Sequence, residues 1–420
     1  MTRDFDVILF GATGFTGQLV AAYLRGAATR EPLRWAIAGR NRDKLEALGL
    51  GVPVVIADAL DAQAVRALAA RTTVVCTTTG PFARYGSALV AACADAGTHY
   101  CDLTGEVQWM RRMIDQHHAR ATETGARIVH TCGFDSIPSD LGTWAAQQAF
   151  IARFGGPAHK VTALYGEQSG GLSGGTVASG VETAREASAD RAIARLLQNP
   201  YALDPDPELA LAQRPRAPDE RAIGWEPHVK LFTVPFLMAQ VNTRVVRRGH
   251  ALAGLPWGAD FVYREVMSTP GNARGAVMAA GIAGGLAVLG FAMSRPTLRA
   301  QLAKRAPQPG EGPSAEVRAH GHWKVRLVAE RGDDVLVYVV SDRADPGYGS
   351  TAKMLGESAL CLALDPLRSA GPLRSADPLR SAGPLRSAGG VQTPAVAMAQ
   401  PLLDRLRRAG LVFEETPPPP

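Results

Sequence analysis

Apolar residues recur in two rhythms along this chain, and the rhythm changes near residue 158. Before it, short apolar runs rich in strand formers alternate with stretches of helical character. "FDVILF" (5–10), "LRWAIAGR" (33–40), "VPVVIADAL" (52–60), "TTVVCTTTGPF" (72–82), "THYCDLTGE" (98–106) and "ARIVHTCGFDSIPSD" (126–140) read as successive strands running into turns. Helices are expected at 15–26, at 86–96 and up to residue 124. Such βα alternation predicts a doubly wound parallel sheet, with its ligand at the carboxyl ends of the strands.

Beyond residue 158, strand-like runs fall at 160–166, 259–268, 322–330 and 334–341. The last two are joined by "RGDD", a hairpin signal. They predict a second α/β domain on a mixed or antiparallel sheet. Residues 199–220, rich in proline and charge, read as a long surface loop. Residues 275–294, "GAVMAAGIAGGLAVLGFAMS", carry no charge and lie between Arg274 and Arg295. Their length would span a bilayer, and Gly281 and Gly285 form a G-x-x-x-G pair. Alanine and glycine dominate, so a buried or membrane-surface helix is expected ahead of a span. "PLRSAG" then recurs in four tandem copies, one of them ending in Asp377, a period that supports neither helix nor strand. The division expected is a Rossmann-type domain at 1–140, a substrate domain at 141–364, a disordered insertion at 365–390, and a C-terminal helix and tail at 391–420.

The first turn carries the chemistry. Gly11, Gly14 and Gly17 are spaced G-x-x-G-x-x-G between a strand and a helix. The first allows a tight bend, the second admits pyrophosphate to the backbone, and the third lets helix pack on sheet; the helix N-terminus then faces the phosphates. An NAD site wants an acid at the end of the second strand. Here stand Gly39 and Arg40, then Asn41, Arg42 and Lys44, so Arg40 can pair with a 2′-phosphate and NADPH is the expected cofactor. Contacts are expected from Gly11, Thr13, Gly14, Phe15, Thr16, Gly17, Arg40, Asn41, Asp58, Thr78, Thr79 and Gly80.

Composition narrows the picture further. The chain has 420 residues, 46% hydrophobic and 20% charged, enough for a large core. Its net charge of +6 comes from scattered arginines, read as a solvated surface; no basic run with interleaved aromatics suggests nucleic acid. Five cysteines, an odd number without a C-x-x-C pair, fit neither a disulfide framework nor a metal site. No secretory signal is apparent, so a cytoplasmic place is expected, with peripheral contact at the plasma membrane's cytoplasmic face. The Tyr-x-x-x-Lys pair of short-chain dehydrogenases is absent; Tyr348 and Lys353 are one residue too far apart. "GLSGG" (171–175) matches a nucleophile elbow in letters, but polar residues separate Ser173 from the strand before it.

"GATGFTG", "AGR", "TTTGPFARYG", "YCDLTGE", "CGFDSIPSDLG", "SGGT" and "NTRVVRR" occur in this order. Together they resemble the saccharopine dehydrogenase-like oxidoreductases, in the trans-acting enoyl reductase branch of mycobacteria. The resemblance implies NAD(P)H-dependent reduction of an enoyl double bond on an acyl or polyketide chain held by a polyketide synthase, in cell-wall lipid or glycolipid synthesis. Imine reduction, as in saccharopine formation, and a non-catalytic nucleotide-bound protein at a membrane are the alternatives. It assigns no catalytic residue. With hydride from the nicotinamide, the protein must supply a proton. Tyr85, after the Gly-Pro turn, is the first candidate and Tyr100 the second; His99, Asp102, Asp135 and Ser136 also sit at strand ends.

Overall fold

The computed structural model describes residues 3–134, 136–168, 174–215, 217–305, 314, 316, 320–366 and 389–417. Asp135, Ser173 and nearly all of the hexapeptide insertion lie outside them, so the expectations for these residues are not addressed.

Six strands alternate with helices in the first part: β1 (Phe5–Phe10), β2 (Trp35–Gly39), β3 (Val54–Ile56), β4 (Thr72–Thr77), β5 (His99–Cys101) and β6 (Arg127–Val129). With β13 (Gly390–Gln392) they form a seven-stranded, wholly parallel sheet in the order β13-β6-β5-β4-β1-β2-β3. Val7, Ile8 and Leu9 are fully buried on both faces, as a central parallel strand requires. The strand order reverses between β1 and β4, and at such a switch point open α/β sheets bind ligands, outside the carboxyl ends of the strands.

The second sheet is mixed. β7 (Lys160–Gln168), β8 (Gly224–Glu226), β9 (Leu231–Val234), β10 (Val262–Pro270), β11 (Trp323–Arg331), β12 (Asp334–Asp342) and β14 (Val412–Thr416) lie in the order β14-β12-β11-β7-β10-β9-β8. β7 and β10 are parallel, and the other pairs are antiparallel. The helix Ile137–Phe154 packs on β11 and β12; a Cβ on its Gly142 would lie 3.1 Å from Val340 Cγ2. One apolar core runs from β1 and β4 through this helix into β11 and β12.

Three expectations change. The division at residue 140 is not clean, because the C-terminal segment supplies β13 to the first sheet and β14 to the second. The helix Thr351–Leu364 also packs against β1, β4 and β5. Long-range pairing of this kind leaves no local signal in a three-residue strand. Residues 199–220 are only in part a surface loop. Tyr201, Ala202, Leu203 and Asp204 are buried, and Pro207–Gln213 is helical. Nor do the arginines of "NTRVVRR" belong to a solvated surface. Arg244, Arg247 and Arg248 lie buried in the helix Ala239–Leu252. Arg244 donates to Asp219 and the Leu197 carbonyl, Arg247 to the carbonyls of Pro200, Ala217 and Tyr263, and Arg248 to those of Leu203 and Val391. These bonds gather the 199–220 segment against the helix.

Residues 275–294 lie in the helix Ala273–Ser294. Its first turn is pinned: Thr269 Oγ1 donates to the Gly275 carbonyl, and a Cβ on Gly275 would fall 1.7 Å from the Pro270 carbonyl oxygen. Beyond that turn it is exposed, with Val277 73%, Val288 70% and Phe291 57% accessible. Its buried residues are Gly275 and Ala279.

Candidate functional site: the nucleotide cradle and the domain junction

The glycine turn is built by close approach. Gly11 has φ +89°, which an L side chain rarely adopts, and a Cβ there would lie 2.3 Å from Thr79 Oγ1. A Cβ on Gly17 would come within 2.1 Å of the Gly11 carbonyl oxygen and 2.9 Å of Thr78 Oγ1. Both glycines are therefore demanded by the chain itself. Gly14 is different: a Cβ there would meet nothing closer than the Gly11 carbonyl oxygen, at 3.5 Å. Its bareness serves something outside the fold.

The Gly14 N–H donates to the Gly11 carbonyl (3.1 Å), and no side chain caps the helix Phe15–Ala27 that follows. An uncapped helix start at a switch point presents N–H groups and the positive dipole end to an anion. Thr13 is exposed, Thr16 is half-buried, and Phe15 meets Tyr348 edge-on at 4.8 Å. At the end of β4, Thr78 Oγ1 donates to the Gly11 carbonyl (3.2 Å), while Thr79 Oγ1 is buried without a partner among the described residues. Such a hydroxyl costs stability unless something satisfies it. The cradle and this orphaned hydroxyl fit a dinucleotide.

The other expected contacts differ in freedom. Arg40 is exposed at the end of β2 and makes no bond or ion pair among the described residues. Asn41 accepts the Lys44 N–H and caps the helix Arg42–Glu46. Asp58, beyond β3, accepts the Leu60 N–H in a tight turn. Gly80 leads through a cis peptide into Pro81. The short helix Phe82–Tyr85 then starts with two N–H groups, of Phe82 and Ala83, both bound by the Glu106 carboxylate at 2.8 Å. Ser179 Oγ donates to the same carboxylate. Burial pushes the Glu106 carboxyl up, and these three donors hold it down. Glu106 thus fixes the turn that follows β4. It stands in the quoted "YCDLTGE", and its place just before a helix was the available signal.

Of the two tyrosines proposed as proton donors, the structure separates one from the site. Tyr100 is wholly buried in β5 and donates to Asp102 Oδ2 (2.9 Å); burial and that carboxylate push its hydroxyl well above the ordinary range. Asp102 also meets His130 Nδ1 at 2.8 Å and accepts the N–H groups of Thr104 and Thr131. Tyr100 and Asp102 hold the sheet interior together, which corrects the expectation of a donor at Tyr100. Tyr85 is half-buried on the Phe82–Tyr85 helix, with the Arg84 guanidinium 5.5 Å from its ring centre. Its hydroxyl has no partner among the described residues. His99 lies at the start of β5 and accepts the Arg127 N–H, and Ser136 Oγ donates to Asn242.

The second domain meets the carboxyl edge of the first sheet with apolar groups. Gly105 faces Met238, with Cε 3.7 Å from where its Cβ would stand. Phe134 lies edge-on to Trp323 (4.8 Å) and Tyr165 (5.9 Å), and Phe236 stacks on Tyr165 (4.6 Å). Beneath this aromatic layer is a buried network that sequence reading missed. Glu265 accepts from Ser139 and Tyr263 at Oε2 and from Asn242 at Oε1. Ser139 Oγ is 2.6 Å from the Tyr165 hydroxyl. Burial raises the Glu265 carboxyl to about 7 despite three donors. Its parts come from "IPSD", "NTRVV" and "VYREV", the first more than a hundred residues from Glu265 and the second 23 from it, and no local spacing joins them.

Comparison with known proteins agrees with this architecture. Residues 7–129 match the saccharopine dehydrogenase NADP binding domain family. Rv2449c of Mycobacterium tuberculosis (strain ATCC 25618 / H37Rv) is 40% identical over 430 residues, covering 99% of this chain and 98% of its own. The trans-acting enoyl reductases of Mycobacterium ulcerans (strain Agy99) and Mycobacterium leprae (strain TN) are 38% and 37% identical, at the same coverage of both chains. Among solved structures, saccharopine dehydrogenase (L-Glu forming) of Saccharomyces cerevisiae superposes with a TM-score of 0.51 at 13% identity, over 98% of this chain and 99% of that one; this likeness concerns the fold. NADPH is the cofactor that the cradle takes. The chain belongs to the saccharopine dehydrogenase-like oxidoreductases, in the branch of the mycobacterial trans-acting enoyl reductases, and is an NADPH-dependent oxidoreductase.

Proposed function

We propose that the protein is a trans-acting enoyl reductase, saturating the C=C bond of an acyl or polyketide chain carried by a polyketide synthase, in lipid or glycolipid synthesis. The observation that carries this reading is identity to enoyl reductases through both domains. The apolar junction supports it. Phe134, Phe236, Leu103 and Met238 suit a hydrocarbon chain, whereas an amino dicarboxylic acid would want cations, and the nearby arginines of the Ala239–Leu252 helix are spent on buried carbonyls and Asp219.

NADPH supplies the hydride. The chain's own residues position and protonate. The Gly11–Gly17 turn holds the pyrophosphate, Arg40 the 2′-phosphate, and Glu106 anchors the turn at Gly80–Pro81. Tyr85 donates the proton to the carbon next to the thioester carbonyl. Tyr85→Phe should lower kcat by about 10²–10⁴-fold, the usual worth of a positioned acid, with NADPH affinity unchanged. The deciding assay is NADPH oxidation on a panel of enoyl thioesters, with and without a polyketide synthase lacking its own reductase. Turnover of imines and of no enoyl thioester would replace the reading with the saccharopine-type reaction.

A further inference from the structure

The helix Ala273–Ser294 presents apolar side chains to solvent, and nothing among the described residues covers them. Val277, Val288 and Phe291 share one side; Met278 and Leu289 lie about 100° around it. The opposite side, with Ala279, Ile282 and Leu286, leans on the protein. Beyond Arg274 in the first turn, the exposed arc is free of charge. Among the described residues this is the one helix long and apolar enough to cross a bilayer. Exposed apolar surface of this extent marks an interaction site.

Topology rules against a crossing. β10 ends at Pro270, just before the helix, and β11 begins at Trp323, after it. Both pair with β7, one on each side. Residues 270 and 323 therefore lie in one sheet and on one side of any membrane. A return crossing between 295 and 322 would have to carry "RPTLRAQLAKR" and further charges through hydrocarbon.

Charge identifies the occupant. Between Glu265 and Glu311 the sequence has no acidic residue, yet it holds Arg274, Arg295, Arg299, Lys304 and Arg305. Arg274 and Lys304 are exposed, and the Arg295 guanidinium lies 5.2 Å from the Phe291 ring centre, in the manner of a side chain reaching from an apolar layer to its rim. Apolar residues bordered by cations match a leaflet of anionic phospholipid, hydrocarbon beneath phosphate. A second copy is the weaker match. A helix pair would cover one stripe and leave the rest of this arc wet, and it would bring the same cations face to face.

We propose that the helix Ala273–Ser294 seats the enzyme in one leaflet of an anionic membrane without crossing it. The seat is joined to the cofactor turn. The helix packs on Gly174–Ala189, which also receives Arg299 at the Ala184 carbonyl and sends Ser179 to Glu106. The cofactor turn thus stands three contacts away from the lipid-facing helix. This proposal needs no catalytic assignment, so a failure of the enoyl reductase reading would leave it standing.

The test is flotation of the full-length, NADPH-bound protein with vesicles of phosphatidylcholine, alone or mixed equally with phosphatidylglycerol. The protein should float with the mixed vesicles and lose that association at high salt. Val277→Asp with Val288→Asp should weaken vesicle binding at least tenfold while NADPH affinity and Tm hold, which separates lipid contact from misfolding. Arg274→Glu with Lys304→Glu should weaken binding to mixed vesicles about tenfold or more and spare the neutral ones. The proposal is overturned if the parent protein stays in solution, or if the double aspartate variant floats as the parent does. Carbonate-resistant insertion with residues 270 and 323 protected on opposite sides would establish a span instead. Loss of a dimer, or of an acyl-loaded synthase partner, in that variant with no vesicle binding by the parent would assign the face to protein.

Discussion

Two helices of this protein have exchanged the places that their compositions suggest. Ala239–Leu252 carries Arg244, Arg247, Arg248 and His250, and every residue from Val241 to His250 is buried. Ala273–Ser294 carries one charge, at Arg274, and lies largely in solvent. Burial follows the supply of partners more than the character of the side chain. The arginine helix runs past carbonyls that secondary structure leaves open, at Leu197, Pro200, Leu203, Ala217 and Val391; Arg247 and Arg248 each satisfy two of them, and Arg244 takes the fifth together with Asp219. A buried cation is tolerable when its donors are used. The apolar helix faces no element across its outer arc, so its side chains stay wet until something outside the chain covers them.

The contrast can be broken most sharply at Arg248. Burial lowers its guanidinium to about 9, yet it bridges the Leu203 and Val391 carbonyls, tying the 199–220 segment to β13. Arg248→Met should cost about 3–5 kcal/mol, because two buried carbonyls lose a charged donor. Urea unfolding would measure it, and hydrogen exchange should show early loss of protection in β13. A change below about 1 kcal/mol would mean that the clamp is ornamental.

An arginine with no partner among the described residues provides the opposite case. Arg40 is exposed at the end of β2, so its substitution should leave the fold alone and act on the ligand. Arg40→Ala should weaken NADPH by about 1.5–3 kcal/mol, the range for a hydrogen bond to a charged group, and spare NADH. Calorimetric titration with both cofactors decides; equal affinities in the parent protein would remove Arg40 from the 2′-phosphate.

Asp140 shows what burial does to an acid with few donors. It accepts the Ala395 N–H at the start of the Pro394–Arg408 helix, and burial raises its carboxyl from 3.8 to about 7. The folded state therefore keeps a proton that the unfolded chain releases. Its contribution to stability is full below about 4 and is lost as pH rises to about 7. Glu265, also near 7, acts in the same direction, whereas His99 and His250, lowered to about 4, act in the opposite one. The useful quantity is thus the difference between Asp140→Asn and the parent. It should move in favour of the variant by on the order of 2 kcal/mol between pH 4 and 7, measured by denaturant unfolding.

The smallest effect belongs to the apolar helix. Val288→Asp, at a site 70% exposed, should change unfolding free energy by less than about 0.5 kcal/mol. A buried valine would lose several times that. A large loss in the purified protein would show that the outer arc is already covered in solution.

The nucleotide-binding half was legible because its information is local. The turn from β1, the glycines at 11, 14 and 17, and Arg40 at the end of β2 lie within thirty residues, and hard-sphere contact with Thr78, Thr79 and the Gly11 carbonyl dictates two of the glycines, Gly11 and Gly17. The strands of the second sheet longer than five residues were legible too, from their alternation. β8, β9, β13 and β14 were not, since three to five residues hold no pattern apart from the neighbours that pair with them.

The order of residues by itself determined the parallel sheet, its switch point and the phosphate cradle, because sterics and periodicity act between near neighbours. Only the tertiary structure decided that Tyr100 faces inward to Asp102, that Glu265 gathers Ser139, Tyr263 and Asn242, and that the arginine helix is buried while the apolar one is bare. Those outcomes depend on which carbonyls, carboxylates and apolar faces distant segments bring within a few ångströms, and hydrogen bonds and burial are settled by that meeting.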